Sequence, residues 1–110
     1  MLGNNYKQKI QKAITEKFSF MGVDEETINE LTNVSIESIN EELESIHKIL
    51  LQTNIDDLGI HTHNIKGVLL NAGLLEDADK FQEIKHLFEE GKTLEDIKEI
   101  TKERISIFKD

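Results

Sequence analysis

The sequence predicts an all-α fold: an antiparallel four-helix bundle with additional N-terminal helical segments. Three observations carry that prediction. Apolar residues recur at alternating spacings of three and four through nearly the whole chain, the signature of helices with one packed face. None of the 110 residues is proline, so nothing interrupts the helical hydrogen-bond ladder. The breaks in the pattern fall on glycines or on residues that cap helix starts, and the segments between them are long enough for stable helices.

The first helix is expected over roughly residues 4–18, with Tyr6, Ile10, Ala13, Ile14 and Phe18 on its apolar face. Phe20-Met21-Gly22 ends it. Asp24 suits the N-cap of a short second helix, with Glu25 and Glu26 favourable to its positive end and Ile28 and Leu31 on its apolar face. The segment from Ser35 to Leu51 shows a stripe of Ile36, Ile39, Leu43, Ile46 and Leu50 and reads as a separate helix. Asn54 is expected to cap the next one, with Asp56 and Asp57 in its first turn. That helix carries Ile55, Leu58, Thr62, Ile65, Leu69 and Ala72, and Gly73 ends it in a left-handed conformation. Leu74, Ala78, Phe81, Ile84 and Phe88 define a further helix closed by Gly91. Thr93 and Asp96 form a capping box that opens the last helix, with Leu94, Ile97, Ile100, Arg104, Ile105 and Phe108 along it. Short connections favour antiparallel neighbours. One domain is expected over residues 1–110: a helix at about 1–20 capping one end, and a core from about 24 to 110.

The charge narrows the function classes. Lys and Arg number 13 against 22 Asp and Glu, a formal net charge of −9. Nucleic-acid binding and anionic membranes are disfavoured, because both need a basic surface. Cysteine is absent, which removes disulfides and thiolate metal sites. No apolar run approaches the ~20 residues of a membrane span, and the N-terminus lacks a signal-peptide core, so a cytoplasmic location is the expectation.

The stretch HTHNIKGVLLNAG, from His61 to Gly73, departs from ordinary helix composition. His63 has Gly67 four residues ahead and Gly59 four behind. A glycine in a helix interior costs about 1 kcal/mol relative to alanine, so accepting two on one face suggests a face that must stay clear. His63 lies about 100° round the helix from Thr62, off the core stripe. Gly59, His63, Gly67 and Leu70 form a row of their own, and Lys66 sits one turn from His63 on the same side. A neutral imidazole is a nucleophile. A phosphoryl group placed on it would bring acceptor oxygens and negative charge, which Lys66 could meet with a charge-assisted hydrogen bond.

His63-Asn-Ile-Lys66-Gly67, followed by Gly73-Leu74, resembles the H-x-x-K-G-x-x-x-x-x-G-L pattern of histidine-containing phosphotransfer (HPt) domains. The similarity in helix order runs from about Gly22 to the C-terminus. A Lys and two Gly at those offsets from any His would arise by chance in about one chain in a thousand of this composition. The resemblance implies a helical bundle that relays phosphoryl groups between two-component signalling partners. His63 would be the phosphoacceptor, Lys66 would steady the phosphoryl group, Gly67 would give steric access, and Gly73 would turn the chain. The implied partners are a response-regulator receiver domain and a hybrid or chemotaxis-type histidine kinase. The chain would then be a carrier rather than an independent enzyme, with no cofactor of its own and Mg²⁺ supplied by the receiver. The family often has small residues between the two glycines, where this chain has Val68, Leu69 and Leu70. Leu70, with Gly59, would belong to a receiver-docking face, or Leu70 would crowd the site. A glutamine often stands near the phosphohistidine on the next helix; Gln82 and Lys85 fall in that region.

Two other readings stay open at this stage. One is a module of HPt shape that docks receivers without carrying phosphate. The other, more remote, is a di-metal carboxylate bundle built on Glu44-Ser-Ile-His47 and Glu83-Ile-Lys-His86. On the helical wheel Glu83 and His86 face away from Phe81, Ile84 and Phe88, and His47 flanks its stripe, so no metal ligand set is expected.

Overall fold

The computed structural model of the chain describes residues 1–81 and 83–110, and among them every regular element is helical. Helix α1 spans Asn4–Phe20, α2 Glu25–Leu50, α3 Leu58–Ala72, α4 Leu75–Asp79, α5 Ile84–Glu89 and α6 Leu94–Ile105, with a 3₁₀ turn at Ser106–Phe108.

Most of the capping signals act where they were expected. Asp24 accepts a hydrogen bond from the Thr27 amide at 2.8 Å, and that bond holds its carboxyl below the usual range. Thr93 and Asp96 close the capping box that opens α6. Gly73 ends α3 at φ 88°, where a side chain would be strained, and Gly91 closes α5 at φ 82°.

Three boundaries differ from the expectation. The two helices expected around Leu31 and Ser35 are one 26-residue helix, α2. Thr32 and Ser35, which weaken helical propensity, donate instead to the carbonyls of Ile28 and Leu31 and so remain compatible with the helix. Asn54 caps no helix. Its side chain accepts from the Asp56 amide in a turn, and α3 starts only after Asp57. Gly59 therefore sits in the first turn of α3, where a glycine costs less than in the interior. The helix expected from Leu74 to Phe88 is two short ones, α4 and α5. Lys80 and Phe81 close α4 with tight bonds to the Asp77 and Ala78 carbonyls. The apolar period is correct across the break, but α4 answers to α1 while Ile84 of α5 sits beneath α3. Phe88 is half exposed rather than core.

Nor does α1 form an end cap. It runs antiparallel to the first half of α2: Asn4 shares a groove with Ile36, and Ser19 shares one with Glu25. Helix α6 runs along the other half, with the Lys98 amine on the Gln52 carbonyl and Ile105 beside Leu50. The two meet end to end. Gly3 N–H donates to the Phe108 carbonyl at 2.7 Å, and Asp110 accepts from the amides of Asn4 and Asn5. A Cβ on Gly3 would collide with Asp110, so glycine is required at this junction. Tyr6 meets Phe108 edge-on and Phe81 stacks on Phe108, sealing the joint from inside. Together α6 and α1 thus form one composite line of helix along α2.

The core draws from every helix: Ile10 and Ile14, Ile39 and Ile46, Leu58, Ile65 and Leu69, Ala78, Ile84 and Leu87, and Ile97 are all buried. Thr32, Thr62 and Thr101 are buried too, each bonded to the carbonyl one turn back. Asp77 is the one buried charge among the described residues. It accepts from Tyr6 Oη at 2.8 Å, Lys9 Nζ at 2.7 Å and Lys80 Nζ at 3.2 Å, tying α4 to α1. Burial alone would raise its carboxyl, but these hydrogen bonds outweigh that and hold it below the usual range. Burial, and then the carboxylate, push the Tyr6 phenol upward.

Candidate functional site

Helix α3 turns Thr62, Ile65, Leu69 and Ala72 into the core and thereby turns His63 outward. His63 is exposed, and among the described residues no hydrogen bond or ion pair engages its ring. Lys66 is half-buried on the next turn and has no such bond or pair among the described residues either. Gly67 lies in the interior of α3. A Cβ there would meet nothing within 4 Å among the described residues, so no close approach inside the fold calls for glycine. The sequence accepts about 1 kcal/mol at this position for a surface left open.

Two exposed apolar side chains flank the histidine. Ile60 lies one turn before it at 59% exposure, and Leu70, beyond Gly67, is 40% exposed. Leu70 is directed outward, on the same row as His63 and Gly67. Ile60 was not singled out from the sequence, although its position three residues before His63 was the available signal.

A hollow of about 390 Å³ opens beside His63, between α3 and the start of α5. Phe81 and Ile84 form its apolar base, Gly59 and Ile60 one wall, and Lys85 part of the other. Lys85 thus reaches the same hollow as His63. Gln82, the other residue considered on that segment, lies outside the described residues. Lys66 faces a second hollow with Glu83, His86, Glu89 and Glu90.

The remaining histidines lie elsewhere, and two of them face carboxylates. His61 Nδ1 lies 2.6 Å from Glu42 Oε2, and Asn64 donates to the other Glu42 oxygen, so Glu42 braces α3 against α2 on either side of His63 in sequence. His86 lies between Glu83 and Glu89 at the surface. His47 lines a separate hollow with Leu50, Lys102 and Lys109; burial and neighbouring positive charge lower its basicity. The two Glu-x-x-His motifs therefore line different parts of the surface. Glu44 pairs with Lys48, and among the described residues no group of three or more His, Asp or Glu is placed to hold a metal ion.

No described helix is long and apolar enough to cross a membrane. No family model, no curated protein and no solved structure matches the chain.

Proposed function

We propose that this chain is a histidine phosphotransfer protein of the HPt type, carrying a phosphoryl group on His63 between two-component signalling partners. The observation that carries the reading is the combination on α3: an outward imidazole with no partner among the described residues, followed by an interior glycine whose missing side chain opens nothing but surface. The resemblance of His63-Asn-Ile-Lys66-Gly67 and Gly73-Leu74 to the HPt pattern supports the same reading. With α6 and α1 counted as one composite line, α2, α3, α4–α5 and α6–α1 supply the four lines of an antiparallel bundle.

In the transfer, a neutral His63 nitrogen, Nε2 by family resemblance, attacks the phosphorus of a receiver aspartyl-phosphate in line. The nitrogen–phosphorus bond forms as the bond to the aspartate oxygen breaks, and the carboxylate leaves with the electron pair. Attack by a second receiver's carboxylate reverses the sequence. Lys66 meets the developing charge with a charge-assisted hydrogen bond. Mg²⁺ comes with the receiver, and the chain supplies a carrier and a docking surface in the cytoplasm.

The test is labelling with a small phosphoramidate and with phosphorylated receiver domains, read by intact mass. Wild type should gain one acid-labile phosphate and His63→Gln none, at unchanged helix content. Equal labelling of the variant would sink the assignment. Receiver binding without label from any donor would favour a docking-only module centred on Leu70 and Ile60.

A further inference from the structure

We propose that the hollow between the C-terminal end of α2 and α6 binds a small amphiphilic anion, an aliphatic carboxylate whose head meets cationic side chains and whose tail covers apolar ones. The inference stands apart from the phosphotransfer reading and from α3.

The lining divides by chemistry. Leu50, Leu51 and Ile105 supply its apolar part, and His47, Lys102 and Lys109 its polar part. No aspartate or glutamate lines it, although acids outnumber Lys and Arg by 22 to 13 in the chain. Of the neighbouring carboxylates, Asp110 accepts from the Asn4 and Asn5 amides and Glu44 pairs with Lys48. Glu99 reaches Lys102 only at 3.4 Å on the exposed surface. Among the described residues no hydrogen bond or ion pair engages the side chain of His47 or Lys109. Burial, and then nearby positive charge that includes Lys109, lower the basicity of His47, so cationic groups converge here without a counter-charge.

Helix ends account for part of this. Cationic residues in a last turn complement the helix dipole, which suits His47 in α2 and Lys102 in α6. Lys109 lies beyond both helices, in extended backbone, and has no such role. Nor does the dipole account for Leu51, which borders the hollow at 88% exposure. At about 410 Å³ the hollow falls in the ~300–1,000 Å³ range of small-ligand pockets, which combine an apolar lining with a few polar groups that fix orientation. A concave surface of one charge sign concentrates the opposite sign, which selects an anionic head, and the buried area of Leu50, Leu51 and Ile105 rewards an aliphatic tail.

The experiment is titration of the whole chain with octanoate, read by the ring-proton resonances of its histidines. His47 should shift saturably, while His63 and His86, on other faces, stay in place. Octanol and acetate should each bind about tenfold more weakly or worse, the one lacking the head and the other the tail. Lys109→Glu should lower octanoate affinity about tenfold and Leu51→Ser about threefold, both at exposed positions and with helix content retained. Equal affinity for octanol would overturn the part given to the cationic side chains, equal affinity for acetate the part given to the apolar ones, and either overturns the inference. So would a common shift of every histidine, no saturable shift of His47, or wild-type affinity in both variants. Two rival occupants are read beside it. A His47 shift with vesicles of phosphatidylcholine and phosphatidylglycerol, but not with octanoate, would assign the hollow to a membrane surface. Self-association in sedimentation that Lys109→Glu abolishes would assign it to a second copy of the chain. Each of these results overturns the small-ligand inference.

Discussion

Asp77 and His63 lie close in the chain and are treated in opposite ways. Asp77 is buried and accepts hydrogen bonds from Tyr6, Lys9 and Lys80. His63 is exposed, and among the described residues nothing bonds its ring. The first arrangement binds elements together: α4 follows α3 through Gly73 and is locked to α1, which in turn holds the end of α3 through the Lys17 amine on the Asn71 carbonyl. The second leaves a reactive group on a helix whose position the first has secured. The difference teaches where polar satisfaction is invested. The fold completes it at the joint and withholds it on the outer face of α3.

The comparison breaks most readily at Asp77. Asp77→Ala should destabilise the protein by about 2 kcal/mol in urea unfolding, the scale for losing hydrogen bonds to a buried charged group. The figure is kept low because Lys9 and Lys80 are half exposed and regain water. Phosphoramidate labelling of the folded fraction should stay close to wild type; a large loss there would mean that the joint and the site are not separable. The sign with pH follows from the lowered carboxyl. Its contribution is present above the unfolded value near 3.9 and lost as pH falls through the lower folded value. The stability gap between wild type and Asp77→Asn should therefore shrink below about pH 4, and a constant gap would show that the charge is irrelevant.

Gly67 sharpens the comparison from the other side. Gly67→Ala should stabilise the protein by up to about 1 kcal/mol, visible as a higher Tm, while slowing transfer from a receiver. Stabilisation with undiminished transfer would refute the steric account of this glycine. The smallest effect belongs to Lys66. Lys66→Ala should slow labelling or shorten phosphoryl lifetime about threefold, as expected for one partly exposed charge-assisted bond. Unchanged rate and lifetime would remove Lys66 from the mechanism.

The features legible in the sequence are those with a local cause. Asp24, Thr93, Asp96, Gly73 and Gly91 act through bonds or backbone angles within a few residues, and each operates at its expected place. The row of Gly59, His63, Gly67 and Leu70 followed from helix geometry alone. Most of what escaped depends on distant neighbours. The break between α4 and α5 preserves the apolar period, so periodicity cannot reveal it; it arises because Asp77 is drawn to α1 while Ile84 packs under Gly59. Continuity of α2 through Thr32 and Ser35 was obscured by residues that favour helix ends but here bond back to carbonyls. The hollow beside His63 combines α3 with a segment some twenty residues on, and no spacing rule links the two.

The junction of α6 with α1 has a consequence for connectivity. Gly3 and Phe108 are joined by a backbone hydrogen bond of 2.7 Å, so the chain is nearly a closed ring. A linker of a few residues would fuse α6 to α1 covalently, and new ends could be opened in the exposed turn between α2 and α3. Such a circular permutant would keep every helix pairing and join the two halves of the composite line through a short loop, because Lys109 and Gly3 are both extended. In that chain the order of elements would begin with α3, and His63 would sit in its first helix.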